Sequence, residues 1–137
     1  MFFENKRSKP QNRIDSLVGA GTKIEGDVVF SGGLRVDGYI KGNVSAEGDK
    51  PSTLVLSEQA RIEGVIRVSH VVINGTVIGG PVHAAEYVEL QGKARVSGDV
   101  HYKKLEMHLG AVVEGKMVHR QESEPSPVVE LKTIPNN

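Results

Sequence analysis

The chain of 137 residues has no cysteine and no tryptophan, and its aromatic residues are limited to three Phe and three Tyr. The lack of cysteine excludes a disulfide framework and zinc–thiolate sites, and it is typical of a reducing compartment. The formal net charge is zero, so no global attraction draws the chain to nucleic acid, and we expect no nucleic-acid partner. No apolar run approaches the roughly 20 residues of a membrane-spanning helix, and no secretory signal is recognisable. These absences predict a cytoplasmic protein.

A short repeat with glycine at its centre dominates what is present. A pentapeptide with a bulky apolar residue at each end occurs six times, at residues 24–28, 40–44, 62–66, 78–82, 96–100 and 113–117. Its central glycines lie at positions 26, 42, 64, 80, 98 and 115, so the successive steps are 16, 22, 16, 18 and 17 residues. A near-fixed period of this length is typical of a solenoid, in which each repeat stacks on the one before it.

Apolar and charged residues alternate through these repeats. In the second repeat, Leu34, Val36 and Ile40 share one parity, while Arg35 and Lys41 lie on the other. A period of two is strand geometry, and glycine is expected at the bends, where a side chain would crowd the corner. We therefore predict an all-β fold, a parallel β-helix of about six turns stacked about 4.8 Å apart. The longest step contains residues 47–53, which are predicted to bulge out as a loop.

An antiparallel β-sandwich is the alternative, since its strands also alternate. It would show paired hairpin signals such as Asn-Gly turns, and the chain has only one Asn-Gly pair, Asn74 followed by Gly75. The predicted organisation has three parts: a flexible tail at 1–18, the β-helix at 19–118 and a Pro-rich disordered tail at 119–137. Four of the six prolines lie in the tails, at Pro10, Pro125, Pro127 and Pro135, which argues against packed structure there.

The repeat, the length, the two tails and the start Met1, Phe2, Phe3 together resemble the bactofilins, the bacterial polymer-forming cytoskeletal proteins. The resemblance implies a right-handed, three-sided parallel β-helix that polymerises end to end without nucleotide or other cofactor. It also implies filaments peripheral to the inner membrane, where they position cell-wall enzymes or their membrane adaptors and influence cell shape. One departure stands out, because bactofilins often carry Phe at a subunit contact in the final turn, where this chain has Val112 and Val113.

The two ends of the coil are the predicted surfaces of self-association. A β-helix exposes unpaired backbone groups on its first and last turns, and such edges pair with further strands unless a cap covers them. Neither tail has the pattern of an amphipathic cap; the alternative is that residues 128–131 fold back over an end. The predicted interface comprises Leu105, Met107, Leu109, Val112, Val113 and Met117 at the C-terminal end, with Ile24, Val28, Leu34 and Val36 at the N-terminal end.

The N-terminal tail combines apolar and basic residues. Met1, Phe2 and Phe3 are followed closely by Lys6 and Arg7. Apolar residues at a free end beside basic ones suit contact with an anionic lipid surface, although the anchoring by a single tail is marginal. A filament presents many tails, and each later contact is then intramolecular. The tail is therefore predicted to bind the inner membrane, the alternative being an ordinary unstructured start.

Catalytic and metal sites are not predicted. The sequence contains no Ser/His/Asp constellation or phosphate-binding loop, and Gly19-Ala20-Gly21 opens no helix. His83 and His101 each follow the closing residue of a repeat, so we expect them to stack on the outer face as two solvated histidines rather than as metal ligands. The remaining histidines, among them His108, show no ligand spacing.

Three other functions remain as alternatives. Hexapeptide acyltransferases also form coiled β-rods, but they show a strict six-residue aliphatic repeat that this chain lacks. Polysaccharide-cleaving β-helices are several times longer and cluster their acidic residues, whereas here the acidic residues alternate with Lys and Arg. The third alternative is a β-helical adaptor that does not polymerise.

Residues 128–134, after the polar spacer 121–127, are interpreted either as a docking segment for a partner or as a frayed end.

Overall fold

The computed structural model describes residues 13–121. The predictions for residues 1–12 and 122–137, including the membrane-contact residues Met1, Phe2, Phe3, Lys6 and Arg7, lie outside the described residues. Every regular element between residues 13 and 121 is a β-strand. The strands are β1 (Ser16–Val18), β2 (Lys23–Glu25), β3 (Val28–Phe30), β4 (Gly33–Val36), β5 (Tyr39–Lys41), β6 (Val44–Ala46), β7 (Thr53–Leu56), β8 (Arg61–Glu63), β9 (Ile66–Ile73), β10 (Thr76–Ile78), β11 (Val82–Leu90), β12 (Arg95–Ser97), β13 (Val100–Tyr102), β14 (Lys104–Met107), β15 (Val112–Glu114) and β16 (Met117–His119).

The strands stack in parallel on three faces of a coil. Face 1 contains β1, β4, β7, the second halves of β9 and β11, and β14. Face 2 contains β2, β5, β8, β10, β12 and β15. Face 3 contains β3, β6, the first halves of β9 and β11, β13 and β16. The chain thus passes through the three faces six times, which confirms the predicted parallel β-helix of about six turns.

The corner between face 3 and face 1 is built differently from turn to turn, with short connections at residues 31–32 and at residue 103. Strands β9 and β11 continue around it, and a register shift between Ala84 and Tyr87 marks the bend. Between β6 and β7 the same corner is instead made by residues 47–52, the insertion that the sequence predicts to be a loop. The base of this loop is tied to the next turn, because the Ser52 amide donates to Ser69 Oγ at 2.7 Å. The loop of residues 47–52 therefore lies against this corner of the coil.

Columns of aliphatic side chains fill the interior. Ile40 and Ile62 are neighbours in register on face 2 and are fully buried, as are Leu54 and Val71 on face 1. Because the side chains of a strand alternate between its two sides, one parity of each strand enters this column and the other faces solvent. The alternation of apolar and charged residues in the sequence therefore reflects which side chains enter this single, narrow core and which face solvent.

The fourth repeat differs from its predicted register. The repeat was expected to begin at Ile78, but Val77 pairs with Ile62 and Val96 and is fully buried, while Ile78 lies opposite Glu63. Between the inward Val77 and Val82, this turn has one residue more than the neighbouring turns have between the corresponding inward positions. Gly79 absorbs the extra residue at the corner with φ of +86°, a conformation that glycine adopts without steric cost.

The central glycines form a column at the corner between face 2 and face 3. A Cβ on Gly42 would lie 2.1 Å from the Gly26 carbonyl oxygen, and one on Gly64 would lie 2.2 Å from that of Gly42. The same relation holds for Gly80, Gly98 and Gly115, each against the glycine of the turn before it. The predicted crowding is confirmed, and the obstacle is the backbone of the adjacent turn.

Strand structure begins earlier than the predicted boundary. Ser16–Val18 lies within the segment 1–18 described above as a tail, yet it pairs with β4. The Asp15 carboxylate accepts a hydrogen bond from the Gly33 amide at 3.0 Å, and the Asp15 amide donates to the Gly33 carbonyl at 2.9 Å. Val18, only 8% exposed, covers one side of the core. Polar residues flank this short strand in the sequence, so the sequence pattern does not mark it as a strand.

Candidate polymerisation surfaces

Both ends of the coil present sheet edges. In the described part of the chain, β1, β2 and β3 pair only with the second turn, and β14, β15 and β16 pair only with the fifth. Each end therefore offers the backbone groups of three short strands for further parallel or antiparallel pairing. Such edges are sites of association between chains.

The C-terminal end also exposes the apolar interior. Met107 is 47% exposed, whereas Leu90, its partner one turn earlier, is fully buried. The predicted residues Leu105, Val113 and Met117 are likewise only partly buried, although their partners Val88, Val96 and Val100 are at most 2% exposed. Ala111 belongs to the same layer but is absent from the predicted set. One more turn stacked here would complete the burial of this layer.

Leu109 occupies a corner of the last turn. It is 97% exposed, so it is not one of the inward side chains among which the alternation places it. The pairs Leu90 with Met107 and Arg95 with Val112 fix the register on both sides, and this register sets Leu109 opposite Gly92. A Cβ on Gly92 would point toward the next turn, 3.1 Å from the Leu109 carbonyl oxygen. By the same geometry the Leu109 side chain extends beyond the end of the coil.

Val112 lies on a different surface from the rest of the predicted C-terminal set. It is in register with the exposed Arg95 on the outer side of face 2, and it is 42% exposed. It borders the end without covering the interior.

The N-terminal end is smaller and more closed. Ile24 and Val28 are partly buried at the first turn, as predicted residues of an end surface would be. Leu34 and Val36 lie one turn deeper, opposite Ser16 and Val18, and are 2% and 0% exposed. Leu34 and Val36 therefore do not belong to the exposed N-terminal end. Leu17 and Val29 are not among the predicted residues. Both are exposed on the outer side of the first turn, at positions where the second turn has Arg35 and Ser45.

The outer sides of the faces carry paired charges. On face 2 the Tyr39 hydroxyl donates to Glu63 Oε2 at 2.7 Å, and Arg61 Nε donates to the same oxygen at 3.1 Å. These two hydrogen bonds, from Tyr39 first and Arg61 second, lower the pKa of Glu63. The same hydrogen bond raises the pKa of the Tyr39 hydroxyl. Pairing of this kind describes a solvated flank rather than a binding surface.

The two histidines expected to stack do so. His83 and His101 are in register on face 3, and their ring centroids are 4.5 Å apart. Burial lowers the pKa of His83, and the neighbouring Arg67, His101 and Arg120 lower it further. A metal ion would add positive charge to a site already surrounded by cations, which argues against metal binding by this pair.

Glu89, Glu106 and His108 form the one group in the described residues with the composition of a metal site. Their ligand atoms lie within 4.8 Å of one another. The sequence analysis missed the grouping because it appears only when residues 17 apart are set side by side. His108 Nε2 lies 3.0 Å from Glu89 Oε2 and 3.4 Å from Glu106 Oε2, and the Tyr87 hydroxyl donates to Glu106 at 2.8 Å. These contacts account for the cluster, so we assign it no metal.

Tyr87 is the most perturbed titratable group of this flank. Burial raises the pKa of its hydroxyl to about 12, with contributions from Glu106 and Glu89. The hydroxyl is therefore protonated at neutral pH and donates its hydrogen bond to Glu106.

No helix in the described residues is long and apolar enough to cross a membrane.

The comparisons with known proteins agree with this geometry. The bactofilin family, described as polymer-forming cytoskeletal, matches residues 16–118. The chain is similar to the bactofilin BacP of Myxococcus xanthus, 24% identical over 85% of this chain and 47% of that protein. It is also similar to the bactofilin BacO of the same organism, 27% identical over 84% of this chain and 85% of that protein. This chain thus spans about half the length of BacP and most of BacO.

No solved structure gives a significant match to the chain. The family match begins at the first residue of β1 and ends inside β16, so it covers the six turns of the coil. The resemblance inferred from the repeats is thereby confirmed. The chain belongs to the bactofilins, a family of polymer-forming cytoskeletal proteins.

Proposed function

We propose that this chain polymerises by contact between the ends of its coils, without nucleotide, into filaments that lie on the inner face of the cytoplasmic membrane. There the filaments localise cell-wall enzymes and influence cell shape. The observation that supports end-to-end assembly is the sixth turn, which no other turn covers among residues 13–121. There Leu105, Met107 and Val113 lack the cover that their partners one turn earlier have.

Apolar burial supplies part of the free energy for assembly at this end. Completing the burial of about five apolar side chains contributes on the order of 5 kcal/mol, because each is already partly covered. Backbone pairing along three strand edges adds to this, while lost translational and rotational freedom opposes it. The backbone pairing is therefore as necessary to the end contact as the apolar side chains.

The direct test is electron microscopy of the purified full chain in buffer without nucleotide. We expect filaments about as wide as a single coil or a small bundle of coils. A β-helical adaptor that does not polymerise is the rival function, and dispersed single particles at high concentration would favour it. A binding assay with acyl-coenzyme A tests the acyltransferase alternative in the same preparation.

The proposed membrane contact rests on Met1, Phe2 and Phe3 with Lys6 and Arg7, and its test is a deletion. Removing residues 2–7 should abolish co-sedimentation of the filaments with vesicles that contain anionic lipid, because it removes both the apolar insertion and two cations. Filaments should still form, since the six described turns begin at Ser16. Full vesicle binding by the deletion variant would reject this anchor.

The proposed recruitment of cell-wall enzymes rests on the family alone. We expect at least one enzyme of wall synthesis or hydrolysis, or its membrane adaptor, to lose its discrete localisation in cells that lack this chain. Fluorescence microscopy of labelled wall enzymes measures this directly. Unchanged localisation of all of them would contradict the recruiting role and leave filament formation intact.

A further inference from the structure

A groove of about 1050 Å³ follows the corner between face 3 and face 1. The loop 47–52 forms part of its wall, and the groove extends along the coil to Arg120 and Gln121, the last residues that the structure describes. Its floor includes Ser69, His70 and Ala84. The groove therefore lies on the side of the coil, separate from the two ends, and it is long enough for an extended peptide.

Cations without a partner line this groove. Lys50, Arg67, Lys104 and Arg120 all belong to its lining, and among residues 13–121 none of them forms an ion pair with a carboxylate. Elsewhere on the coil Lys23, Arg35 and Arg61 each pair with an acidic residue on the same strand or just beyond it. The other described cations that form no ion pair lie outside the groove lining: Lys41, Lys93, Arg95 and Lys116. The groove thus concentrates unneutralised positive charge.

Two acidic residues also line the groove, but they do not balance these cations. Glu86 is bound to a different lysine, Lys103, at 3.4 Å, and Asp49 lies on the exposed loop. The imidazole of His83 provides independent support for a positive environment, because Arg67, His101 and Arg120 all disfavour its protonated form and lower its pKa, after burial. An anionic occupant would relieve this repulsion.

The chain itself supplies an anionic segment at the mouth of the groove. Gln121 belongs to the lining, and the residues that follow it are Glu122, Ser123 and Glu124. An extended chain advances about 3.3 Å per residue, and stacked strands are about 4.8 Å apart. Glu124 can therefore reach about two turns back from Gln121, which is the level of His83, one turn from Arg67.

We propose that residues 122–126 dock as an extended peptide in the groove of their own coil, with the carboxylates of Glu122 and Glu124 against Arg120 and Arg67. Charge complementarity and the exit of the chain at Gln121 both favour this occupant over an unrelated ligand. The segment then runs along the side of the coil and leaves its C-terminal end open. This inference does not depend on the proposed function.

Zero-length carbodiimide cross-linking of the full chain, followed by mass spectrometry, tests the docking. The reagent joins a carboxylate to an amine only when the two are in contact. We expect links from Glu122 or Glu124 to Lys50 or Lys104 and none to Lys41 or Lys93, which lie outside the groove lining. Mixing unlabelled and ¹⁵N-labelled chains distinguishes links within one chain from links between chains.

Cleavage by a Glu-specific protease gives a second, independent measurement. Docking should protect the bonds after Glu122 and Glu124, because cleavage proceeds from the released segment. Arg67→Glu replaces an attraction with a repulsion, so cleavage should accelerate at least about fivefold, as loss of one charge-assisted contact permits. Lys93→Glu is the matched control, since it makes the same charge change at an exposed position outside the groove and should leave the rate unchanged.

Two outcomes would overturn the inference. Equal cleavage rates in the wild type and in Arg67→Glu, with no cross-links to the groove lysines, would show that the segment does not dock. Cross-links found only between labelled and unlabelled chains would show that the groove binds the tail of a second copy. Arg67 is exposed and its side chain makes no described hydrogen bond, so a folded Arg67→Glu variant is expected and a circular dichroism spectrum checks it.

Discussion

Leu109→Arg should convert filaments into single coils or short particles. The Leu109 side chain is 97% exposed and extends beyond the last turn, so in an end contact it meets the apposed subunit directly. An arginine there would place an unpaired charge in an apolar contact, which costs several kcal/mol once water is excluded. Because each 1.4 kcal/mol is about tenfold in an equilibrium constant, this loss lowers the association constant at least about a hundredfold. Sedimentation measures the change as loss of the pelletable fraction.

The exposure of Leu109 also makes the result easy to interpret. Since the side chain contributes little to the core of a single coil, the melting temperature of the variant should stay within about 3 °C of the wild type. Val113→Arg should also prevent assembly, but Val113 is partly buried, so that variant confounds folding with association. Gln59→Arg is the matched control, because it adds the same residue at an exposed site away from the ends. Normal filaments from Leu109→Arg would falsify the C-terminal contact.

Gly42→Ala should destabilise the coil itself. The added Cβ would lie 2.1 Å from the Gly26 carbonyl oxygen and 2.4 Å from its carbon. Both obstacles are backbone atoms of the adjacent turn, which cannot rotate away as a side chain would, so two turns must separate locally. We expect the free energy of unfolding to fall by at least about 2 kcal/mol and the melting temperature by about 10 °C.

Gly21→Ala is the control for this prediction. No atom lies within 4 Å of a Cβ at Gly21, and its backbone does not require glycine. That substitution should leave the melting temperature unchanged or raise it slightly, because alanine restricts the unfolded chain. Thermal unfolding followed by circular dichroism compares the two variants. Equal melting temperatures would mean that the turns have enough freedom to accommodate a methyl group, and that the glycine column is not sterically required.

Much of the coil is predictable because its physics is local. The alternation of Leu34, Arg35 and Val36 reports one buried and one solvated side of a strand, and this relation holds whatever the strand pairs with. The glycines at 26, 42 and 64 mark corners through their period. A Cβ at Gly42 or Gly64 would meet the backbone of the turn before it, whereas a Cβ at Gly26, in the first turn, would meet no atom within 4 Å. The insertion at 47–53 is visible because it breaks the period. Fold class, number of turns and loop position follow from these signals.

Lateral register is less predictable because it depends on the length of every turn. Val77 and Ile78 are both branched and adjacent to the corner glycines, so composition alone does not distinguish the inward one; the hydrogen-bond ladder with Ile62 and Val96 does. Leu109 has the parity of an inward side chain, yet it falls in a corner and is exposed. One residue more or less in a turn changes which side chain faces the core.

By itself the sequence determined the six-turn β-coil, because alternation is a property of neighbouring residues and the glycine period repeats along the chain. The combination of repeat, length and tails carried the resemblance to the bactofilins. Only the tertiary structure decided which residues form the exposed layer at the C-terminal end, that Leu34 and Val36 lie beneath the first turn, and that Lys50, Arg67 and Arg120 share one groove. Those residues are separated by one or more turns along the chain. They meet because the stacked backbone hydrogen bonds fix each turn over the last, and a sequence pattern records the turns but not the exact alignment between them.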